Sequence, residues 1–343
     1  MPAALLTIQA FLCASVVKCF LVFDGSSFKI KKHSVLPRLC GKLLYSFTIK
    51  FFIMTVQWYP GHMNKARRII KESMSEVDLV IEVMDARIPF SSENPMVAEL
   101  RQHRPCIKIL NKSDLADPAI TKRWLQHFDR EKGVKAQALS VLDKSRTKNL
   151  PDLCRKLLPE RGSAVKSIRV MIMGIPNVGK STLINTLAGK TLAKVGDEPA
   201  VTKVVSSAQQ RIILQGGIAL SDTPGILWPK IENANSSYRL AVTGAIKNTA
   251  IDYQDIALFA ADYLIVAYPE KVFKRYKLKQ TPETGLQLLE QIGRKRGCLR
   301  AGGIIDLQRA SEILIHEIRS GALGQLSFET PQMIAEETVS TES

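Results

Sequence analysis

The stretch Met173-Gly174-Ile175-Pro176-Asn177-Val178-Gly179-Lys180-Ser181-Thr182 constrains this chain more than any other. It has the G-x-x-x-x-G-K-S spacing of a phosphate-binding P-loop, whose two glycines let consecutive backbone N–H groups fold around phosphate oxygens. Asn177, Val178, Gly179, Lys180, Ser181 and Thr182 are therefore candidate nucleotide contacts. Lys180 adds positive charge at the β/γ end, the Ser181 hydroxyl is a candidate Mg²⁺ ligand, and the following helix presents its positive end to the anion. The flanks agree. Residues 167–173 are an apolar run fit for a buried strand, and Leu183–Ala188 reads as a helix stopped by Gly189.

Which nucleotide binds is read elsewhere. Cys106–Leu110 reads as a short buried strand delivering Asn111-Lys112-Ser113-Asp114 at its carboxyl end, where open parallel α/β sheets bind ligands. Asn111 suits the guanine O6/N7 edge, and the stem of Lys112 suits the base plane. Asp114 accepts from the ring N–H and exocyclic amine that guanine has and adenine lacks. Facing adenine, that carboxylate stays unpaired at a cost of about several kcal/mol, which argues against an ATP-dependent enzyme. Alone, N-K-S-D is a surface turn; beside a P-loop it becomes a base reader. Residues 136–140 form the next strand end, where Ser140 is a small residue that lets the backbone reach guanine O6.

The γ-phosphate side follows. Residues 195–205 read as irregular and hold Thr202, a candidate for Mg²⁺ and γ-phosphate contact. Two short strands around Gly216-Gly217 end in Asp222-Thr223-Pro224-Gly225. Asp222 can hold Mg²⁺ through water, and the Gly225 N–H can sense the γ-phosphate. Other elements are a helix from Asn64, a strand over 78–85, helices opened by Asn94-Pro95 and Asp117-Pro118, a loop over 143–148 and a helix over 150–158.

At 343 residues with 48 Lys+Arg against 32 Asp+Glu, a net +16, the chain supports two domains and an anionic partner beyond the nucleotide. Its six cysteines have neither zinc nor C-x-x-C spacing and read as free thiols. Residues 1–53 carry seven basic residues and one acid, Asp24, with an apolar run from Ala3 to Phe23 broken by Gln9 and Lys18. An anchor or signal lacks its cationic start, and a transit peptide lacks arginine; the preferred reading is that Met54 is the true start. Beyond residue 233 the pattern is helical to about 330, with basic joints. Lys271, Lys274, Arg275 and Lys277, with Phe273 and Tyr276 among them, and Arg294, Lys295 and Arg296 are candidate RNA contacts or else solvated helix faces. Residues 331–343 read as a disordered acidic tail.

The guanine motif precedes the P-loop, whereas an ordinary small GTPase runs P-loop, threonine switch, DxxG, NKxD. The same site forms if a Ras-like doubly wound sheet is circularly permuted, since α/β termini lie at the surface and tolerate rejoining. The second switch then leads straight into the helical region. This order, with Trp58-Tyr59-Pro60-Gly61-His62-Met63, Asp85-Ala86-Arg87-Ile88-Pro89 and the basic helical end, resembles the bacterial circularly permuted GTPases of the YlqF/RbgA type, which assist late assembly of the large ribosomal subunit. The likeness runs from about Met54 to Thr330. It implies a permuted GTPase domain over 54–232, a helical domain over 233–330 that contacts ribosomal RNA, GTP/GDP as ligand, and a bacterial cytoplasmic protein that is a monomer off the ribosome. Ala200 and Ser140-Val141 depart from the usual small residues of that family.

The position after D-x-x-G, where Ras-like enzymes hold a water-orienting glutamine, is Ile226, and no cis arginine is evident. An arginine finger is worth about 10³–10⁵ in rate, so the chain alone reads as a slow GTPase stimulated by its partner. Two residues are candidates to compensate: the amide oxygen of Asn177 for a K⁺ beside the phosphates and, by the resemblance, His62 for the attacking water. The competing reading is a nucleotide-gated signalling switch anchored to a membrane through residues 1–53.

Overall fold

The computed structural model describes residues 20–23, 28–31, 62–140, 143–161, 167–190, 211–214, 217–228, 231, 233–246 and 252–342. The chain divides into two compact units, Met1–Met54 and Thr55–Ser343. In the first, strands β1 (Phe20–Phe23) and β2 (Phe28–Lys31) pair antiparallel, with Phe20 opposite Lys31. The expectations about Met54, Trp58–Gly61, Val141, Ala200 and Thr202 lie outside the described residues. Among the described residues no helix is long and apolar enough to cross a membrane.

The second unit is built on six strands: β3 (Leu79–Asp85), β4 (Cys106–Asn111), β5 (Val134–Ala138), β6 (Ile168–Met173), β7 (Ile212–Leu214) and β8 (Ile218–Asp222). They lie in the order β5-β4-β3-β6-β8-β7, all parallel except β7. Every residue of β3 and β4 is buried, as expected of central parallel strands covered on both faces. The chain runs outward from β3 to β5, returns to β6 beside β3, then runs out the other way. Such a reversal opens a crevice at the carboxyl ends of β3 and β6, where ligands of this fold class bind. The permuted order is thus compatible with an ordinary sheet.

Helices α1 (His62–Ser73), α2 (Pro89–Ser92), α3 (Pro95–Arg101), α4 (Pro118–Phe128), α5 (Lys144–Lys148), α6 (Leu150–Leu157) and α7 (Lys180–Ala188) join these strands. Asn94 caps α3 by accepting from the Met96 N–H, and Asp117 caps α4 by accepting from Ala119 and Ile120. The expected loop over 143–148 is a short helix, because Asp143 accepts from the N–H groups of Ser145 and Arg146 and nucleates a turn with no apolar stripe.

Helices α8 (Ala234–Thr243), α9 (Tyr253–Ala267), α10 (Pro269–Tyr276), α11 (Gly285–Arg296), α12 (Leu307–Ser320) and α13 (Pro331–Glu342) complete the unit. Thr284 and Asp306 cap α11 and α12, and Gly321 ends α12 at φ 76°. The basic stretch after Pro269, expected as a joint, is the helix α10. The acidic tail is not disordered: α13 is fixed by Glu337, which accepts from Arg239 at 2.5 Å and Asn233 at 2.9 Å. Nor do contacts divide the chain at residue 233. The Phe328 N–H donates to the Arg87 carbonyl at 2.9 Å, Leu326 N–H to the Leu115 carbonyl at 2.8 Å, and Trp124 Nε1 to the Glu329 carbonyl at 3.1 Å.

Candidate nucleotide-binding site

Three of the expected motifs meet at the carboxyl ends of β4, β6 and β8. Parallel pairing sets Asp85 level with Asn111 and Ile172 level with Asp222, so the loops that follow share one edge. Gly174 leaves β6 at φ 144°, and a Cβ there falls 2.3 Å from the Val83 carbonyl oxygen, so only glycine passes. Gly179 has φ 93° and opens α7; a Cβ there falls 2.3 Å from Asn111 Nδ2. The two loops are stitched at that approach. Asn111 Nδ2 donates to the Val178 carbonyl at 2.7 Å, and Lys112 Nζ to the Asn177 carbonyl at 2.6 Å.

Buried Asn111 Oδ1 has no hydrogen-bond partner among the described residues, an acceptor that a bound molecule can satisfy. Asp114 is exposed at the mouth, and Ser140 is buried in the neighbouring loop, held by Leu139 N–H to Leu110 carbonyl at 2.9 Å and Ser113 N–H to Leu139 carbonyl at 3.0 Å.

Lys180 is buried, with its ammonium donating to the Ile175 carbonyl at 2.7 Å. Burial pushes its pKa down to about 8, opposed by the charge of Asp222. Burial raises the Asp222 carboxyl in turn, and Lys180 opposes that rise. Gly225 lies against the P-loop: a Cβ there falls 2.9 Å from Pro176 Cα and 3.0 Å from Lys180 Nζ. Ser181 and Thr182 are half-buried in the first turn of α7. His62 opens α1, and the position of its side chain lies outside the described residues. Ile226, at the glutamine position, is buried.

Sequence reasoning missed the support beneath these loops. Asp85 and Arg87 form a buried pair at 2.7 Å, with Lys112 Nζ 3.2 Å from Asp85. Burial alone would raise the Asp85 carboxyl, but Arg87 and Lys112 hold it well below the usual carboxylate range. The sequence showed both residues in the Asp85-Ala86-Arg87-Ile88-Pro89 stretch at a strand end, but not that they pair beneath the guanine loop. Also missed was the grip on the P-loop from the helical segment, where Asn177 Nδ2 donates to the Gly244 carbonyl at 2.9 Å. Arg319 fixes that turn by donating to the carbonyls of Val242 at 2.9 Å and Ala241 at 2.6 Å. Asn177 itself is in the left-handed region, at φ 58°.

A parallel sheet with a P-loop at its switch point, an N-K-S-D loop beside it and a D-T-P-G turn facing its lysine defines a P-loop GTPase with permuted strand order. Residues 169–294 match the family model described as "50S ribosome-binding GTPase". The ribosome biogenesis GTPase A of Bacillus cereus is 44% identical over 296 residues, covering 84% of this chain and 98% of that protein. Its Bacillus pumilus counterpart is 46% identical over 286 residues, covering 81% and 100%. Among solved structures, GNP-bound YlqF from T. maritima aligns with a TM-score of 0.56 at 30% identity, covering 78% of this chain and 99% of that one. The chain belongs to the ribosome biogenesis GTPase A family and is a GTPase. These relatives lend no support to the membrane-anchored alternative.

Proposed function

We propose that this GTPase acts in late assembly of the large ribosomal subunit in the bacterial cytoplasm, holding ribosomal RNA through its basic helical segment and leaving after hydrolysis. The names of its relatives support the ribosomal role. The observation that carries the reading is that the exposed cations stand on the same segment that is hydrogen-bonded to the P-loop at Gly244 and to the guanine loop at Leu115.

The cations are not equivalent. Arg275 and Arg296 both pair with Glu317, at 2.8 and 2.6 Å, and Lys271 is tied to the Gln325 carbonyl and the Tyr268 ring. Lys274, Lys277, Arg294 and Lys295 are exposed and left to meet phosphates. Tyr276 is 3% exposed and belongs to the core rather than to a base-stacking surface.

In the nucleotide site Asn111, Lys112 and Asp114 read guanine, with Ser140 beside them. The P-loop N–H groups and Lys180 hold the phosphates, and Gly225 senses the γ-phosphate. The residues present fit Mg²⁺, since Asp222 sets a carboxylate close enough for its charge to act on Lys180, and this ion is ordinarily held by one or two carboxylates plus substrate phosphates. Ser181, Asp222 and Thr202 would hold it, and it would supply neutralisation of phosphate charge. Asn177 would offer a K⁺ its amide oxygen, with the carboxamide oriented by Gly244. With Ile226 unable to orient water, His62 takes that task, and the partner subunit supplies the rest of the acceleration. Off the ribosome the protein is a monomer.

The test is the GTP hydrolysis rate with and without purified large subunits, each in KCl and in NaCl at equal ionic strength. The expected outcome is a rate raised about tenfold or more by subunits, and higher in KCl. A rate indifferent to subunits contradicts the ribosomal reading, and equal rates in the two salts contradict the K⁺ assignment.

A further inference from the structure

The turn after Asp222 is held from outside by a side chain that no nucleotide motif contains. Asn94 lies on the segment between β3 and α3 and is 4% exposed, and its carbonyl accepts from the Val97 N–H at 2.8 Å. Its Oδ1 accepts from the Met96 N–H at 3.0 Å, which caps α3. Its own N–H donates to Glu82 Oε1, a buried acceptor in the middle of β3, at 2.9 Å. Its Nδ2 reaches 132 residues along the chain to donate to the Ile226 carbonyl at 2.8 Å.

An N-cap alone is served equally by serine, aspartate or asparagine. Only asparagine caps with one atom and donates with another. The residue type is therefore demanded by the second bond, not the first.

Ile226 directly follows Gly225. Its N–H points at the Gly174 carbonyl at 3.4 Å and its carbonyl is taken by Asn94, so the peptide planes on both sides of Ile226 are fixed. In this arrangement Gly225 is drawn against Pro176 and Lys180, the end of the P-loop that meets a γ-phosphate. The segment that carries Asn94 is itself rigid. Ser92 Oγ donates to the Ile88 carbonyl at 2.6 Å and accepts from the Asp85 N–H at 3.0 Å. Further back, Ser91 N–H donates to Glu329 Oε1 at 3.0 Å, so the C-terminal segment braces it from the other side.

The geometry points to Asn94 as a positioning residue for the second switch, holding Gly225 in the drawn-in arrangement that favours a nucleoside triphosphate over a diphosphate. The inference rests on the assignment of Gly225 as the γ-phosphate sensor made above. It adds a residue from outside the nucleotide motifs that sets how strongly the switch prefers the triphosphate.

The test uses the full chain with Asn94→Ser, which keeps a cap acceptor but is too short to reach Ile226, and Asn94→Asp, which keeps the size and the cap but replaces the donor by an acceptor. Dissociation constants for GDP and for a non-hydrolysable GTP analogue are measured for each, with melting temperatures alongside. A net neutral hydrogen bond corresponds to about two- to tenfold in an equilibrium constant. The expected result is that the GTP-analogue constant rises by about that factor in Asn94→Ser, and further in Asn94→Asp, while the GDP constant moves less than about twofold. A purely structural cap would weaken both nucleotides together. Equal changes, no change, or a shift toward the triphosphate in both variants overturns the proposal. A Gly225→Ala control separates the two readings: if it leaves triphosphate preference intact, the sensor assignment fails, whatever Asn94 does.

Discussion

Lys180 shows how a single side chain is tuned by its surroundings before any ligand arrives. Its ammonium is buried, spends one donor on the Ile175 carbonyl, and has a pKa pushed down to about 8. A depressed lysine pKa means that holding the charge in the folded protein is costly below about pH 8, and that this cost is relieved as pH rises toward the ordinary lysine value. An incoming phosphate reverses the preference by favouring the charged form. Nucleotide binding should therefore take up a substantial fraction of one proton at about pH 9 and almost none at about pH 7, with affinity falling as pH rises through 8. Titration calorimetry in two buffers of different ionisation enthalpy reads the uptake directly; none at the higher pH contradicts this account of Lys180.

At the scale of elements, the molecule is held together by buried polar joints between segments far apart in the chain. The joint at α8 and α13 is the clearest. Arg239 is 2% exposed, and its guanidinium donates to both oxygens of Glu337, with Glu329 at 3.7 Å behind it. Removing a buried partner leaves a charge uncompensated, which ordinarily costs about 3–5 kcal/mol. Here Glu337 is partly exposed and Glu329 remains, so Glu337→Ala should destabilise by about 1–3 kcal/mol in urea unfolding, with α13 freed first. An unchanged midpoint denies α13 a role in stability. This helix was not legible in the sequence, since residues 331–342 carry no strong apolar stripe and the element is fixed by Arg239 and Asn233, which local pattern does not reveal. Helix α10 was obscured for a related reason: its cations read as a joint, while Val272 and Tyr276 supply the buried face.

For the molecule as a whole, what could be read from sequence was chemistry that pins residue types at fixed spacings. Gly174, Gly179 and Lys180 and the pair Asn111 and Asp114 stood out because phosphate and guanine each demand particular atoms, and the strands stood out because central parallel strands are mostly apolar. What could not be read were contacts that depend on the closed fold: Asn94 to Ile226, Asn177 to Gly244, Arg87 beneath Lys112. Contacts of the same kind tie the helical segment to the site. They run from the P-loop to Gly244, from the guanine loop to Leu326, and from the Asn94 segment to Glu329. Under the proposed function, nucleotide state and the grip on the ribosomal subunit are then two readings of one unit, because a shift at any of these joints moves residues on both sides. Coupling of this kind is a difference in affinity between two states and works in both directions. The direct measurement is co-sedimentation of the full chain with purified large ribosomal subunits, in parallel with GDP and with a non-hydrolysable GTP analogue. Severalfold more protein should enter the subunit fraction with the analogue; equal amounts with both nucleotides would mean that the switch and the subunit-binding surface are not coupled.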